Sequence, residues 1–248
     1  AAAEAARAEA EAEAAQMAAA QAAAAEAAAS AAAERAAAER AAAGRLGVTA
    51  VAPAADAAKP EKKKSLAAMM GLRPRAQKLD VRTRLEADPK AYKVPTDKAE
   101  IYAIGEFLTT NECRKLAGMI DRVARPSSLY EGTYKDGFRT SYSGNFDRDD
   151  PMVKMISRRI DDCLGLPGKF GETMQGQRYL PGQQFKDHHD YFYPGEDYWK
   201  QESKNGGQRS RTAMMFLNTL KGSGATAFPN CGIQIEPKAG VLLVWNNA

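Results

Sequence analysis

From Gly171 to the end of the sequence, short runs of β-forming residues alternate with turn sequences, and this pattern restricts the fold more than any other feature. The turns are LPGQ, NGG, KGSG, PNCG and PKAG, which supply the glycine, proline and asparagine that tight turns require. Many short strands with short connections are typical of a jelly-roll-like double sheet. The predicted strands are residues 172–180, 184–192, 211–218, 225–228, 232–236 and 240–246.

Helical patterns precede these strands. The sequence EIYAIGEFL at 100–108 alternates like a strand, and the helix predicted at 109–124 opens with a capping box formed by Thr109 and Glu112. A second helix is predicted to begin at Asp150-Pro151 and to end at Gly165. We therefore predict an α+β domain over residues 93–248, with helices bracing the double sheet. Its expected core includes Met174, Phe216, Leu217, Ile235 and Val244.

The first part of the chain has a different composition. Residues 1–44 contain 29 alanines, together with glutamate and arginine, which favour a helix that stops at Gly44. Large apolar residues at heptad spacing are absent, so residues 1–47 are predicted to be an Ala-rich helical or disordered extension. Residues 48–92 are predicted to be a linker, with a short helix at 65–72 that could dock on the main domain or a partner.

Charge and cysteine content narrow the possible functions. The net charge of +4 is partly due to a lysine cluster in the linker, and such a mild excess does not indicate a nucleic-acid-binding protein. No run of eighteen apolar residues is present, so no transmembrane helix is predicted. The three widely spaced cysteines indicate no disulfide framework and favour a reducing, cytoplasmic compartment. The oligomeric state cannot be predicted from these features.

The sequence KDHHDYFYPG at 186–195 contains both histidines of the chain. In a strand, residues two apart share a face, so His188 and Asp190 can converge on one ion while His189 points away. This H-x-D pattern supplies two thirds of a 2-His-1-carboxylate triad for non-haem Fe(II). An H-x-D pattern alone is common, and the third ligand is not evident.

The neighbouring motifs make the pattern specific. GQRYLPGQQFKDHHDYF is followed by NGGQRSRTAMMFLN, then GSGATAFP, then GIQIEPKAGVLLVWNN, and FRTSYSGNF lies upstream at 138–146. In this order the motifs resemble the prolyl 4-hydroxylase-like family of Fe(II)/2-oxoglutarate dioxygenases, from about residue 100 to the last residue. The resemblance implies a double-stranded β-helix, a cupin-like jelly roll, as the core. It also implies Fe(II) and 2-oxoglutarate as cofactors, with ascorbate as a further candidate.

Site residues follow from the resemblance by position. His188 and Asp190 match metal ligands with the catalytic role, whereas Tyr179 and Thr226 match residues that line the 2-oxoglutarate pocket. Arg139, Phe185 and Arg209 match residues at the substrate groove. The residues assigned to the 2-oxoglutarate pocket and the substrate groove have simpler alternatives. Tyr179 and Phe185 could be core aromatics, Thr226 a strand former, and Arg139 and Arg209 surface charges.

The resemblance implies hydroxylation of a peptidyl residue, most plausibly proline, with O₂ consumed and 2-oxoglutarate converted to succinate. The family's distal histidine and the basic residue that binds the far carboxylate of 2-oxoglutarate follow the VWNN strand, so we expect them, and the last core strands, beyond Ala248. The alternatives are the same chemistry on another peptidyl residue or a small molecule, and a non-catalytic scaffold or binding protein.

Overall fold

The computed structural model describes residues 29–50, 80–127 and 137–247. The chain divides into two units, Ala1–Arg45 and Leu46–Ala248. Residues 29–46 are helical (α1), as their alanine content predicts. The predicted stop at Gly44 is wrong, because the helix continues through residue 46. It ends where Gly47 takes a left-handed conformation, with φ of 79°.

The linker prediction for residues 48–92 is wrong where the structure describes them. Val48–Ala50 form strand β1, which pairs antiparallel with Ile233–Ile235. Helix α2, Val81–Ala87, buries Leu85 against the core, and strand β2, Ala91–Lys93, joins the main sheet. These segments contain too few apolar residues to be recognised alone, and they are ordered by pairing with distant strands. The short helix predicted at 65–72 lies outside the described residues.

The second unit is a mixture of helices and antiparallel sheet, which confirms the predicted class at that level. Its remaining helices are α3 (Thr110–Val123), α4 (Pro151–Leu164) and the short α5 (Trp199–Glu202). Its remaining strands are β3 (Ile101–Ile104), β4 (Arg125–Pro126), β5 (Tyr142–Asn145), β6 (Gln175–Arg178), β7 (Arg211–Met215), β8 (Thr226–Phe228), β9 (Ile233–Ile235) and β10 (Leu242–Asn246). None of the described helices is long and apolar enough to cross a bilayer.

The main sheet has the order β2-β3-β10-β7 and carries apolar side chains on both faces. On one face, Ile101 and Leu243 pack with Ile235 of a smaller sheet, β1-β9-β8. On the other face, Tyr102 and Val244 pack with residues of α2 and α4. Because both faces are covered, all four residues of β3 are buried. Among the predicted core residues, Phe216, Ile235 and Val244 are buried, while Met174 and Leu217 are partly buried.

Helices α3 and α4 begin where the sequence predicted. The Thr109 hydroxyl accepts from the Glu112 amide at 3.2 Å, and the Glu112 carboxylate accepts from the Thr109 amide at 2.8 Å. The Arg159 guanidinium of α4 also donates to the Glu112 carboxylate, and this bond, with the one from the Thr109 amide, holds the pKa of that carboxyl at about 2. Asp150 caps α4, and Gly165 ends it in the left-handed conformation.

Strand β5 was not predicted, because its sequence YSGN consists largely of residues typical of turns. It forms the centre of a third sheet, β4-β5-β6, in which Gly144 lies directly opposite Gly176. A Cβ at Gly144 would lie 2.6 Å from the Val123 carbonyl oxygen, and one at Gly176 would overlap the Ile120 side chain. The paired glycines therefore let α3 pack closely on the sheet.

The predicted strand at 184–192 is wrong. Within this segment only Phe185 forms a β-bridge, with Arg139, and the Thr140 amide donates to the Gln184 carbonyl. Residues 186–192 form a loop instead, with bends at Asp187 and Tyr191. Side chains from a neighbouring segment satisfy several of the loop's backbone groups, so no ladder is needed.

Replacing Gly176 by alanine should destabilise the second unit by about 1–3 kcal/mol, because the new methyl group must displace Ile120 or Phe146 in a filled core. Gly195→Ala is the matched control, since a Cβ there meets nothing within 4 Å, and it should change stability by less than about 0.5 kcal/mol. Denaturant unfolding measures both. Equal stability of the two variants would contradict the close packing described for α3.

Candidate metal centre

His188 and Asp190 converge from the loop at 186–192. The Nε2 atom of His188 lies 3.2 Å from Oδ1 of Asp190, and the two side chains are only 25% and 19% exposed. The Nδ1 atom of His188 lies 2.7 Å from the carbonyl oxygen of Lys186, which fixes the plane of the ring. We call this pair the metal corner, because one nitrogen and one oxygen lie close enough to bind the same cation.

The bond to Lys186 determines what Nε2 can do. When Nδ1 donates to that carbonyl, a neutral imidazole presents a lone pair at Nε2, facing the lone pairs of Asp190 Oδ1. Two acceptors at this distance repel each other unless a proton or a cation lies between them. The site therefore attracts a positive charge.

The ionisation of the pair shows the same preference. Burial lowers the pKa of His188, but the hydrogen bonds to Asp190 and to the Lys186 carbonyl, together with the charge of Asp190, outweigh it and the net pKa is raised. Burial raises the pKa of Asp190, but the hydrogen bonds from His188 and Thr212, together with the charges of His188 and Arg209, outweigh it and the net pKa is lowered. Both shifts show that the site favours a charged Asp190 carboxylate beside a protonated His188. A divalent cation can take the place of the proton on His188.

The two donors fit a transition-metal ion. Nitrogen and oxygen ligands that each lie about 2.0–2.2 Å from a metal are separated by about 2.8–3.1 Å at octahedral angles and by about 3.3–3.6 Å at tetrahedral angles. The observed separation of 3.2 Å lies between these two ranges, so a small shift of either side chain would suit a metal of either geometry. Imidazole and carboxylate are also a suitable donor set for Fe(II). The described residues contain no cluster of three or more histidine, cysteine or carboxylate side chains that could hold a metal.

Asp190 is held at its side chain and at its carbonyl by residues in β7 and just before it. The Thr212 hydroxyl donates to Oδ2 of Asp190 at 2.6 Å, and Nη1 of Arg209 donates to the Asp190 carbonyl at 3.0 Å. Arg209 is itself fixed by two bonds to the Glu172 carboxylate, one of them 2.8 Å long. Both the side chain and the backbone of Asp190 are therefore positioned.

Gln208 extends this arrangement to Phe192. Its amide oxygen accepts from the Phe192 backbone N–H, and its Nε2 donates to the Phe192 carbonyl at 2.7 Å. The Phe192 ring is buried beneath the Arg209 guanidinium, whose carbon lies 4.7 Å from the ring centroid. The Gln208 side chain thus makes the two hydrogen bonds to Phe192 that a neighbouring strand would otherwise make.

An aromatic and a cation lie beside His188. The Phe185 ring stacks on the imidazole with centroids 3.7 Å apart and planes 16° apart. The Arg139 guanidinium carbon lies 4.6 Å from the Phe185 centroid, and its Nε donates to the buried Ser141 hydroxyl at 3.2 Å. Burial lowers the pKa of Arg139, opposed by the nearby Tyr179 and Asp190. The structure thus places Arg139 and Phe185 directly beside the candidate metal corner.

Of the remaining predicted residues, Tyr179 lies near Arg139, whereas Thr226 lies in a different sheet. Tyr179 is 43% exposed and its hydroxyl donates to Gln177 at 3.0 Å. Thr226 lies on β8 opposite Ile235 in the smaller sheet, and no hydrogen bond to His188 or Asp190 is found for it within the described part of the chain. His189 points away from the pair, with its ring 5.1 Å from that of Tyr191. Convergence of His188 with Asp190, and separation of His189, are as the alternation of side chains predicted.

Sequence reasoning missed four residues of this site. Thr212, Gln208 and Glu172 hold the segment that carries Asp190, and Asn247 contacts Thr212. A partial signal was available, because Gln208 and Thr212 lie within GGQRSRT and Asn247 ends VWNN. Nothing local in the sequence marks Glu172, since its partner is 37 residues away.

The sequence of this region matches a known family. Residues 174–248 match the model of the 2OG-Fe(II) oxygenase superfamily. The chain is 34% identical over 165 residues to prolyl 4-hydroxylase 5 of Arabidopsis thaliana, covering 56% of this chain and 55% of that protein. It is 31% identical over 168 residues to prolyl 4-hydroxylase 1 of the same plant, covering 59% and 57%. The chain thus spans somewhat more than half the length of these relatives.

A solved structure is also similar. It is the 2OG complex of a viral collagen prolyl hydroxylase from Paramecium Bursaria Chlorella virus-1, with a TM-score of 0.43 and 22% identity over 62% of this chain and 81% of that one. The family match confirms the predicted resemblance, and with it Fe(II) and 2-oxoglutarate as the family's cofactors.

Replacing Gln208 by alanine should increase amide hydrogen exchange at Phe192 about tenfold or more, because two hydrogen bonds to its backbone are lost. Hydrogen–deuterium exchange of peptides covering residues 186–193 measures the effect. Gln201→Ala, an exposed glutamine on α5, is the matched control and should leave this segment unchanged. Unchanged exchange in Gln208→Ala would show that the loop is ordered by other contacts.

Proposed function

We propose that this chain, which carries a prolyl 4-hydroxylase-like domain of the 2OG-Fe(II) oxygenase superfamily, hydroxylates a proline residue in a protein or peptide. The observation that carries the proposal is the approach of His188 Nε2 to Asp190 Oδ1 at 3.2 Å, between two partly exposed side chains. In the overall reaction, one oxygen atom of O₂ enters the substrate C–H bond. The other enters 2-oxoglutarate, which loses CO₂ and becomes succinate.

The proposal includes the fold. Two facing antiparallel sheets, β2-β3-β10-β7 and β1-β9-β8, enclose one apolar layer. This arrangement supports a double-stranded β-helix as the core of the second unit. The helices α2 and α4 then cover its outer face.

Within this site, His188 and Asp190 would hold Fe(II), with the imidazole and one carboxylate oxygen as donors. Bound Fe(II) and 2-oxoglutarate supply the oxidising chemistry. Tyr179 and Thr226 are proposed to face 2-oxoglutarate. The Tyr179 hydroxyl donates to Gln177 at 3.0 Å, and burial raises the pKa of Tyr179, so the group keeps its proton and can donate to a carboxylate.

Arg139 and Phe185 are proposed to flank the substrate next to the metal corner. Phe185 stacks on His188 and Arg139 lies over the Phe185 ring, which supports this position, since a substrate carbon must lie close to the metal to react. Arg209 was predicted to bind substrate. Its bonds to Glu172 and to the Asp190 carbonyl instead support a role in fixing the backbone of Asp190.

A cytoplasmic location stays part of the proposal. The three cysteines are free thiols in the structure, and two of them, Cys113 and Cys163, have their pKa raised by burial. Buried thiols of this kind are unreactive, which suits a chain that needs no disulfide to fold.

We expect the full-length protein, given Fe(II), 2-oxoglutarate and O₂, to release succinate in the presence of a proline-containing peptide and to add one oxygen atom to that peptide. The same peptide with alanine in place of proline is the matched control. Succinate release and peptide mass spectrometry measure the two products together.

Each outcome of this assay has a definite meaning. Turnover of free proline or other small acceptors without turnover of peptides would contradict the peptidyl assignment and leave the oxygenase assignment standing. Oxygenation of the alanine peptide would point to another peptidyl residue. No turnover by the iron-loaded protein with any acceptor would favour a scaffold or binding protein.

The two adjacent histidines provide a second test. His188→Ala should weaken Fe(II) binding by more than the roughly 10–100-fold that follows from loss of an outer contact, because a direct donor is removed. His189→Ala should change affinity by no more than about twofold, as expected for a surface substitution. Anaerobic Fe(II) titration measures both variants. An equal loss in both would show that the ligands are assigned to the wrong residues.

A further inference from the structure

The Asp190 carboxylate has one oxygen directed at His188 and the other bound by the protein. Oδ1 lies 3.2 Å from Nε2 of His188, and Oδ2 accepts a 2.6 Å hydrogen bond from the hydroxyl of Thr212. A carboxylate rotates readily about its last side-chain bond, so either oxygen could otherwise turn towards the metal corner. The bond from Thr212 selects one orientation.

Thr212 is suited to hold that orientation. It lies on β7, where it is paired with Trp245 of the central strand β10, and its branched side chain has few rotamers. Its hydroxyl also accepts a hydrogen bond from Nδ2 of Asn247 at 3.0 Å. The Thr212 oxygen therefore accepts from Asn247, and its single hydroxyl hydrogen is donated to Asp190.

Asn247 is in turn fixed by the main chain. Its backbone N–H donates to the carbonyl of Ser210 at 3.0 Å, which continues the β7–β10 register one step beyond Asn246. The three side chains form an ordered line of donors, from the Asn247 amide to the Thr212 hydroxyl to the Asp190 carboxylate. These hydrogen bonds connect the end of β10 to β7, and β7 to the loop at 186–192.

We propose that Thr212 is a positioning residue, which presents Oδ1 of Asp190 to the metal, and that Asn247 directs the Thr212 hydroxyl. The inference rests on the proposed function only in taking Asp190 as a metal ligand. Neither residue touches the metal, and each acts through the next. Contacts of this outer kind commonly change metal affinity 10–100-fold when removed.

The test is titration of the full-length protein with Fe(II) under anaerobic conditions, and with Mn(II) as a divalent ion that is not oxidised during the measurement. Thr212→Val keeps the branched shape and removes the hydroxyl, and it should weaken binding about 10–100-fold. Thr212→Ser restores the hydroxyl and should bind within a few fold of wild type. Asn247→Ala should give an intermediate loss of about two- to tenfold, since only one neutral hydrogen bond is removed.

Thr49→Val is the matched control. Its hydroxyl donates to the Gln234 carbonyl at 3.1 Å in the smaller sheet, so the same chemical change is made away from Asp190. It should leave metal affinity unchanged. Thermal unfolding of each apo variant separates a loss of fold from a loss of positioning, and the serine and Asn247 variants keep the test decisive if Thr212→Val does not fold.

The outcomes are distinguishable from those of the function assay. Wild-type affinity in Thr212→Val, or equal affinity losses in the valine and serine variants, would overturn the positioning role. Metal binding that follows the expected order without any turnover would support that role and contradict the proposed function. An absence of metal binding by the wild-type protein would overturn both.

Discussion

The antiparallel pairing of β7 with β10 is the interaction on which the site depends. It places Thr212 opposite Trp245 and continues to the bond between Asn247 and Ser210. Since β10 is also paired with β3 and is buried on both faces, it cannot shift without disturbing the core. The strand pair therefore holds Thr212 in a fixed position, from which it can orient Asp190 in the loop at 186–192.

The loop at 186–192 shows how a functional segment can be ordered without regular structure. Its backbone groups are satisfied by side chains of the segment before β7, above all by the Gln208 amide and the Arg209 guanidinium. These contacts order the loop backbone, and the side chains of His188 and Asp190 approach each other to 3.2 Å within it. The loop is positioned by the scaffold rather than by its own propensity.

Sequence reasoning located the convergence of His188 and Asp190 from the alternation of side chains in a strand, although the structure has no strand there. The convergence therefore occurs in a loop that bends at residues 187 and 191, without the strand pairing from which it was predicted. The same reasoning could not find Glu172, which contacts Arg209 across 37 residues. A contact of this length leaves no periodic trace in the sequence.

The sequence by itself determined the helices α3 and α4, the late strands and the identity of the H-x-D pair, because capping residues, apolar period and turn residues act within a few positions of one another. Only the tertiary structure decided that residues 48–50 and 81–93 join the core. It alone also decided that the Thr212 hydroxyl fixes the Asp190 carboxylate. These contacts join residues far apart in the chain. They can stabilise the structure only after the sheets have brought those residues together.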